Sequence, residues 1–269
     1  MTERPILFSA PMVRALLAGT KTQTRRAIKL PHENPLGKWE PTTFGGPNGG
    51  RTRAGATIPE QGGIWHTRTG DSLGCPHGQP GDRLWVRETW TWNGGQGGPK
   101  AGEFAKLWVT YAADGQKREI APGGVVPLPK QPPQRDGEVY SLRDATEDFR
   151  YDGENTYVDR LTRWWRRKIP AIHMFRWASR ITLEITAVRV ERLQEISEAD
   201  AQAEGAQRFP DLPYGGQPDN RWSMELPSST GQCLHTPRMA FANYLNKVNG
   251  EGTWDANPWV WVVEFKRLP

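Results

Sequence analysis

The sequence predicts an α+β fold, a small β-barrel with a few flanking helices and two long loop insertions. Three observations predict it. Apolar residues that alternate with polar ones come in short runs, the pattern of half-buried strands. Helical spacing is confined to a few brief stretches. Between them lie long spans rich in Gly, Pro, Thr and Asn that have no period. The chain has 269 residues with 29 Gly and 23 Pro, and its hydrophobic share of 36% is below the usual globular proportion. A compact core interrupted by long loops accounts for that composition. No internal repeat is visible, and a single domain over residues 1–269 is expected.

Residues 6–8 read as a short strand and residues 11–18 as a helix, with Pro11 near its first turn, where a missing N–H costs nothing. The stretch 31–79 reads as the first inserted loop. Strand character returns over 84–92, with 107–112 as its partner. The second insertion covers about 113–170, where Pro127, Pro129, Pro132 and Pro133 bar a regular element. Ile181, Leu183 and Ile185 alternate with polar residues, then Val188 and Val190 resume on the opposite parity. A bulge near Ala187 reconciles the two halves of one long strand. Ser197 followed by Asp200 resembles a capping box opening a helix that ends at Gly205. Thr236-Pro237 starts another helix, in which Phe241, Tyr244, Leu245 and Val248 keep helical spacing up to Gly250. The final strand is 259–265.

A formal net charge of +5 favours an anionic partner, nucleic acid first. Some of the 13 tryptophans suit flat binding surfaces better than core filling. No apolar run approaches the ~18 residues of a membrane span, and no secretory signal opens the sequence, so a cytoplasmic protein without membrane contact is expected. Two cysteines give no disulfide framework. Cys75-Pro76-His77 and Cys233-Leu234-His235 together offer four ligands, but paired zinc ligands usually stand further apart than these, and no metal is expected.

The most informative stretch is 16–27, Leu-Leu-Ala-Gly-Thr-Lys-Thr-Gln-Thr-Arg-Arg-Ala. Gly19 sits where a helix C-terminus wants a residue tolerant of left-handed dihedrals. Lys21, Thr22, Thr24, Arg25 and Arg26 therefore cluster at a helix-to-strand junction. The residues alone leave two alternatives, a solvated basic turn or side chains directed into a cleft. Leu17, Ala18, Gly19, Lys21, Thr22, Thr24 and Arg26 together resemble the N-terminal signature of the ASCH domain family, which has a PUA-like barrel fold. The form is similar in particular to that of the small bacterial N(4)-acetylcytidine amidohydrolases. Residues 80–86 resemble the family's Gly-Asp turn and following strand, 196–205 its late helix, and 259–266 its terminal strand. These pieces cover well under half of the chain, which as a whole is more similar to the longer ASCH proteins of phages and prophages.

The resemblance implies a PUA-like (ASCH) barrel and an amidohydrolase that removes the acyl group from N(4)-acylated cytidine nucleosides or nucleotides, with no cofactor. It implies a catalytic group of Lys21, Thr24 and Glu204. The residue types suit the chemistry. A hydroxyl is a poor nucleophile unless a base is within reach, and a lysine is that base only if desolvation or a neighbouring cation such as Arg25 or Arg26 depresses its pKa. Glu204 would orient the ammonium and shuttle a proton. On an ideal strand Lys21 and Thr24 would face opposite sides, so the group requires a turn or bulge between them. For the substrate, Phe8 and Trp85 could stack on a pyrimidine or fill the core, and Arg26, Arg87 and Glu88 could bind ribose or the base edge or pair with one another.

A separate signal is the run Arg163, Trp164, Trp165, Arg166, Arg167, Lys168, followed by His173, Arg176, Trp177 and Arg180. It has the charge and stacking planes used for single-stranded nucleic acid. A buried tryptophan pair with a solvated basic rim fits the same residues. The family resemblance also implies two alternative functions, an RNA- or DNA-binding PUA-like module with Lys21 and the arginines as phosphate contacts, and an ASCH-type ribonuclease.

Overall fold

A computed structural model describes residues 1–46, 51, 55–94, 107–120, 168–212 and 221–269. In chain order the elements are β1 (Glu3–Leu7), α1 (Ala10–Leu17), β2 (Gln23–Ala27), β3 (Trp39–Phe44), β4 (Gln61–His66), β5 (Ser72–Gly74), β6 (Arg83–Arg87), β7 (Trp90–Gly94), β8 (Leu107–Tyr111), β9 (Lys117–Ile120), β10 (Lys168–Ile169), β11 (Thr182–Arg192), α2 (Glu198–Ala203), β12 (Gln207–Arg208), β13 (Trp222–Ser223), α3 (Pro237–Asn249) and β14 (Trp259–Arg267). The fold is α+β, mostly sheet with few helices. The chain divides into two compact units, one of Met1–Ile6, Pro11–Val86 and Arg180–Pro269, the other of Leu7–Ala10 and Arg87–Ser179.

The first unit is built on a five-stranded sheet in the order β1-β6-β11-β14-β2. β11 is its central strand, flanked by β6 and β14, and β14 is buried along Val260, Trp261, Val262 and Val263 in succession. The bulge expected near Ala187 is present: the register against β14 shifts between Ile185 and Ala187. Thr186 is exposed there, while Ile181, Leu183, Ile185 and Val188 are all buried despite their change of parity. On one face Val260 and Val262 pack with Ala201 of α2 and with Ala240, Phe241 and Tyr244 of α3. Both helices start as expected, with Ser197 Oγ accepting from Asp200 N at 3.0 Å and Thr236 Oγ1 from Met239 N at 3.1 Å.

Three expectations need correction. β1 and β2 stand at the two edges of the five-stranded sheet, so the described strands form open sheets and not a closed barrel. Short five-residue edge strands supply no continuous ladder between those edges. The stretch 31–79 is not a loop, since it holds the three-stranded antiparallel sheet β3-β4-β5. Its glycines, which suggested a loop, serve close approach instead. A Cβ on Gly62 would lie 2.7 Å from Arg189 Cα, and one on Gly63 would overlap the Phe44 ring. The small sheet is pinned by buried His66, whose Nδ1 accepts from Thr69 N at 3.2 Å, and whose Nε2 therefore carries the proton given to Asn34 O at 3.3 Å. The single strand expected over 84–92 is two, because the chain passes from β6 to β7 through buried Glu88 and the two strands join different sheets.

In the second unit the strand order is β10-β7-β8-β9. β8 pairs with β7 as expected, and β9 adds a strand at the start of the stretch expected to be the second loop. Trp90, Val109, Tyr111, Ile169, Met174 and Ala178 form its core. Tyr111 Oη donates to Ala178 O at 2.9 Å. Pro127, Pro129, Pro132, Pro133 and the run 163–167 lie outside the described residues.

Candidate functional site

α1 ends at a turn that only a glycine makes easily. Gly19 has φ +76°, and its N–H reaches Leu16 O at 3.2 Å. The N–H groups of Thr20 and Lys21 both return to Ala15 O, at 3.0 and 3.2 Å. Lys21 is thus fixed at the helix end, just before β2 begins. From the other side, α2 closes at Gly205 with φ +111°, where a Cβ would stand 3.0 Å from Ala15 Cβ. Thr22 N donates to Ala203 O at 2.9 Å. Two glycine-terminated helix ends therefore interlock, and Lys21 meets Glu204.

The Lys21 ammonium has three protons and three acceptors, each at 2.8 Å: Gln23 O, Glu204 O and Glu204 Oε2. The two side chains are 0% and 1% exposed. Burial depresses the Lys21 pKa, with help from the Arg26 and Arg25 charges, while Glu204 opposes the shift. The other Glu204 oxygen, Oε1, faces Arg25 Nη1 at 3.4 Å. Arg25 Nη2 contacts Glu191 at 2.9 Å and Asp200 at 3.2 Å. Gln23 Nε2 donates to Asp200 O at 3.0 Å and to Asp200 Oδ1 at 2.9 Å. Arg189 adds ion pairs to Glu191, Asp200 and Glu264. Burial pushes the Asp200 carboxyl upward, but the Gln23 hydrogen bond and the Arg25 charge outweigh it and hold the group below the usual range.

Of the expected catalytic residues, Lys21 and Glu204 are brought together. Gln23 and Arg25 share the face of β2 that meets α2, so strand alternation puts buried Thr24 on the opposite face, together with Arg26. The Arg26 charge still acts on both Lys21 and Glu204, and burial lowers its own pKa. Trp85 is buried on β6 opposite Thr182. Phe8, Arg87 and Glu88 belong to the second unit: Phe8 and Glu88 are buried, Phe8 N donates to Arg87 O at 3.1 Å, and Arg87 Nη1 donates to Ile172 O at 3.2 Å.

Sequence reasoning missed Glu191, Asp200, Arg189 and Glu264, and gave Arg25 no partner. A signal was present. Arg189 and Glu191 alternate with Val188 and Val190 in a strand long enough to be central, where charges need partners. Burial and the charges of Arg26 and Arg4 lower the His77 pKa to about 4. Among the described residues no three His, Cys, Asp or Glu side chains gather as a metal site would need. No described helix is long and apolar enough to cross a membrane. Comparisons with protein-family models, with curated proteins and with solved structures each found no match.

Proposed function

We propose that the protein is an amidohydrolase acting on N(4)-acylated cytidine nucleosides or nucleotides, on a PUA-like, ASCH-type architecture whose sheet is left open. The observation that carries this reading is the buried Lys21–Glu204 contact, 2.8 Å between residues far apart in sequence. The resemblance of 16–27 and 196–205 to the ASCH amidohydrolases assigns catalysis to these two positions.

The reaction forms a bond from an oxygen nucleophile to the acyl carbon and breaks the bond to N4. The nucleophile loses a proton and the leaving amine gains one. A lysine whose pKa is lowered by burial can take the first proton once it has given up its own. Glu204, hydrogen-bonded to the same nitrogen, can pass a proton towards the leaving amine. With Thr24 on the other face of β2, the nucleophile that Lys21 activates is a water, and the Arg26 charge, which acts on both Lys21 and Glu204, offsets charge developing on the acyl oxygen. Both Lys21 and Glu204 are sealed from solvent, so a substrate reaches them only when neighbouring groups move aside.

The test is acetate release from N(4)-acetylcytidine. Lys21→Ala is expected to lower kcat/KM by roughly 100-fold or more, the scale of a lost general base. Activity within a few-fold of wild type would leave Lys21 a structural cation. A second reading, single-stranded nucleic acid binding by the second unit, draws on one observation. The rings of Phe175 and Trp177 stack at 5.9 Å with 10° between their planes, in a segment that also carries exposed His173 and Arg176.

A further inference from the structure

We infer that Arg25 is a positioning residue for Glu204: clamped by Glu191 and Asp200, it fixes one carboxylate oxygen so that the other stays on Lys21. Its catalytic consequence rests on the hydrolase reading above. The clamp itself rests on geometry alone.

The Arg25 side chain is 0% exposed and sits where β2, β11 and α2 meet. Its contacts to Glu191 and Asp200, 2.9 and 3.2 Å, are shorter than its 3.4 Å contact to Glu204. The guanidinium is therefore placed by its anchors, and Glu204 aligns to it. The anchors are themselves held. Asp200 takes Gln23 and Arg189, and Glu191 takes Arg189 as well. A carboxylate turns readily about its last bond. Without Arg25, Oε1 would lose its ion pair with the Nη1 group, and both oxygens would compete for the Lys21 ammonium. The positive charge beside the pair would fall at the same time, and Lys21 would hold its proton more tightly.

The experiment compares Arg25→Gln, which keeps a hydrogen-bond donor but no charge, with Arg25→Lys, which keeps the charge but not the planar fork. Because Lys21 must be neutral to act as base, the rate should rise with pH as it loses its proton. In Arg25→Gln this rise should move to higher pH, with kcat lowered about ten-fold or more and KM nearly unchanged. Arg25→Lys should return the rise towards the wild-type position and recover part of kcat. A purely structural arginine would lower the melting temperature and leave the pH profile in place, which would overturn the proposal. Should Arg25→Gln fail to fold, Glu191→Gln loosens the clamp from its partly exposed end. It should lower kcat with KM unchanged, and an unaltered kcat would equally overturn the proposal. An NMR titration of Lys21 Nζ separates this from the hydrolase reading. An upward shift in Arg25→Gln supports the clamp even if acetylcytidine is not hydrolysed. An unmoved titration in an active enzyme removes the clamp and leaves the hydrolase.

Discussion

Lys21 and Glu204 offset each other's buried charge, with help from the carbonyls that Lys21 reaches and from the arginine charges beside Glu204. Removing one strands the other. Glu204→Gln is expected to cost about 3–5 kcal/mol in urea unfolding, and the double change Lys21→Met/Glu204→Leu less, because no lone charge then remains. A double variant as unstable as the single one would mean that packing, not charge, dominates here. His77 gives a pH-dependent counterpart. Its pKa is about 4 in the folded chain against 6.5 in the open chain, so on acidification the unfolded state takes up the proton first. The stability gained from holding it neutral is present in full above pH 6.5 and is lost as pH falls towards 4, at most ~3 kcal/mol. His77→Gln should flatten that part of the melting-temperature profile. At this scale the sequence marked Lys21 and Glu204 through a resemblance, and their contact needed no correction. Glu191 and Asp200 were not legible as partners of Arg25, because such a pairing depends on which strands adjoin. Nor did Lys21-to-Thr24 spacing reveal that the lysine precedes the strand that carries the threonine.

Gly62 and Gly63 differ in what stands in their way, and that separates two substitutions one residue apart. At Gly62 the obstacle is the backbone of Arg189 and Val188; at Gly63 it is the Phe44 ring. Gly62→Ala should cost ~1–3 kcal/mol with no rescue by trimming a side chain. Gly63→Ala should be largely rescued by Phe44→Ala, since the ring is the obstruction. Thermal melts of the two singles and the Phe44 double variant check this, and rescue of both or of neither would contradict the packing described. The bulge in β11 allows a sharper trial. Deleting Thr186, the unpaired residue, would restore plain alternation with Arg189 and Glu191 kept on their faces and should be tolerated, whereas inserting one more residue after Thr186 would carry both to the other face and should abolish folding. Elements with a strict period, such as β11, α3 and β14, were legible from sequence to within a few residues. β3, β4 and β5 were not, because a strand that needs glycine for close approach looks like a loop.

For the molecule as a whole, charge separates the two proposed activities. Hydrolysis of a neutral nucleoside neutralises no phosphate, so its kcat/KM should change little between low and physiological salt. Binding of a single-stranded oligonucleotide by a chain of net charge +5 should weaken steeply over the same range. Arg166→Ala/Arg167→Ala should weaken only the second, and equal loss of hydrolysis would place those arginines in the catalytic cleft. The α+β class was legible from alternation and loop composition. Closure of the sheet was not, because it is decided by whether β1 and β2 bond to each other, and each is too short to record its neighbours in its own pattern.

The place of β2 has a temporal consequence. It lies near the beginning of the sequence, and its ladder partner is β14, at Trp259–Arg267. Its hydrogen bonds join residues from opposite ends of the sequence, and closing so large a loop is entropically slow. During synthesis Gln23–Ala27 must wait, unpaired, until β14 has left the ribosome. The Lys21–Glu204 contact waits for α2, and its burial beneath the completed sheet comes later still. Refolding followed by the burial of Trp261 should therefore lag behind formation of the β3-β4-β5 sheet, whose strands are neighbours in sequence. The charged site would then be among the last parts of the protein to become dry.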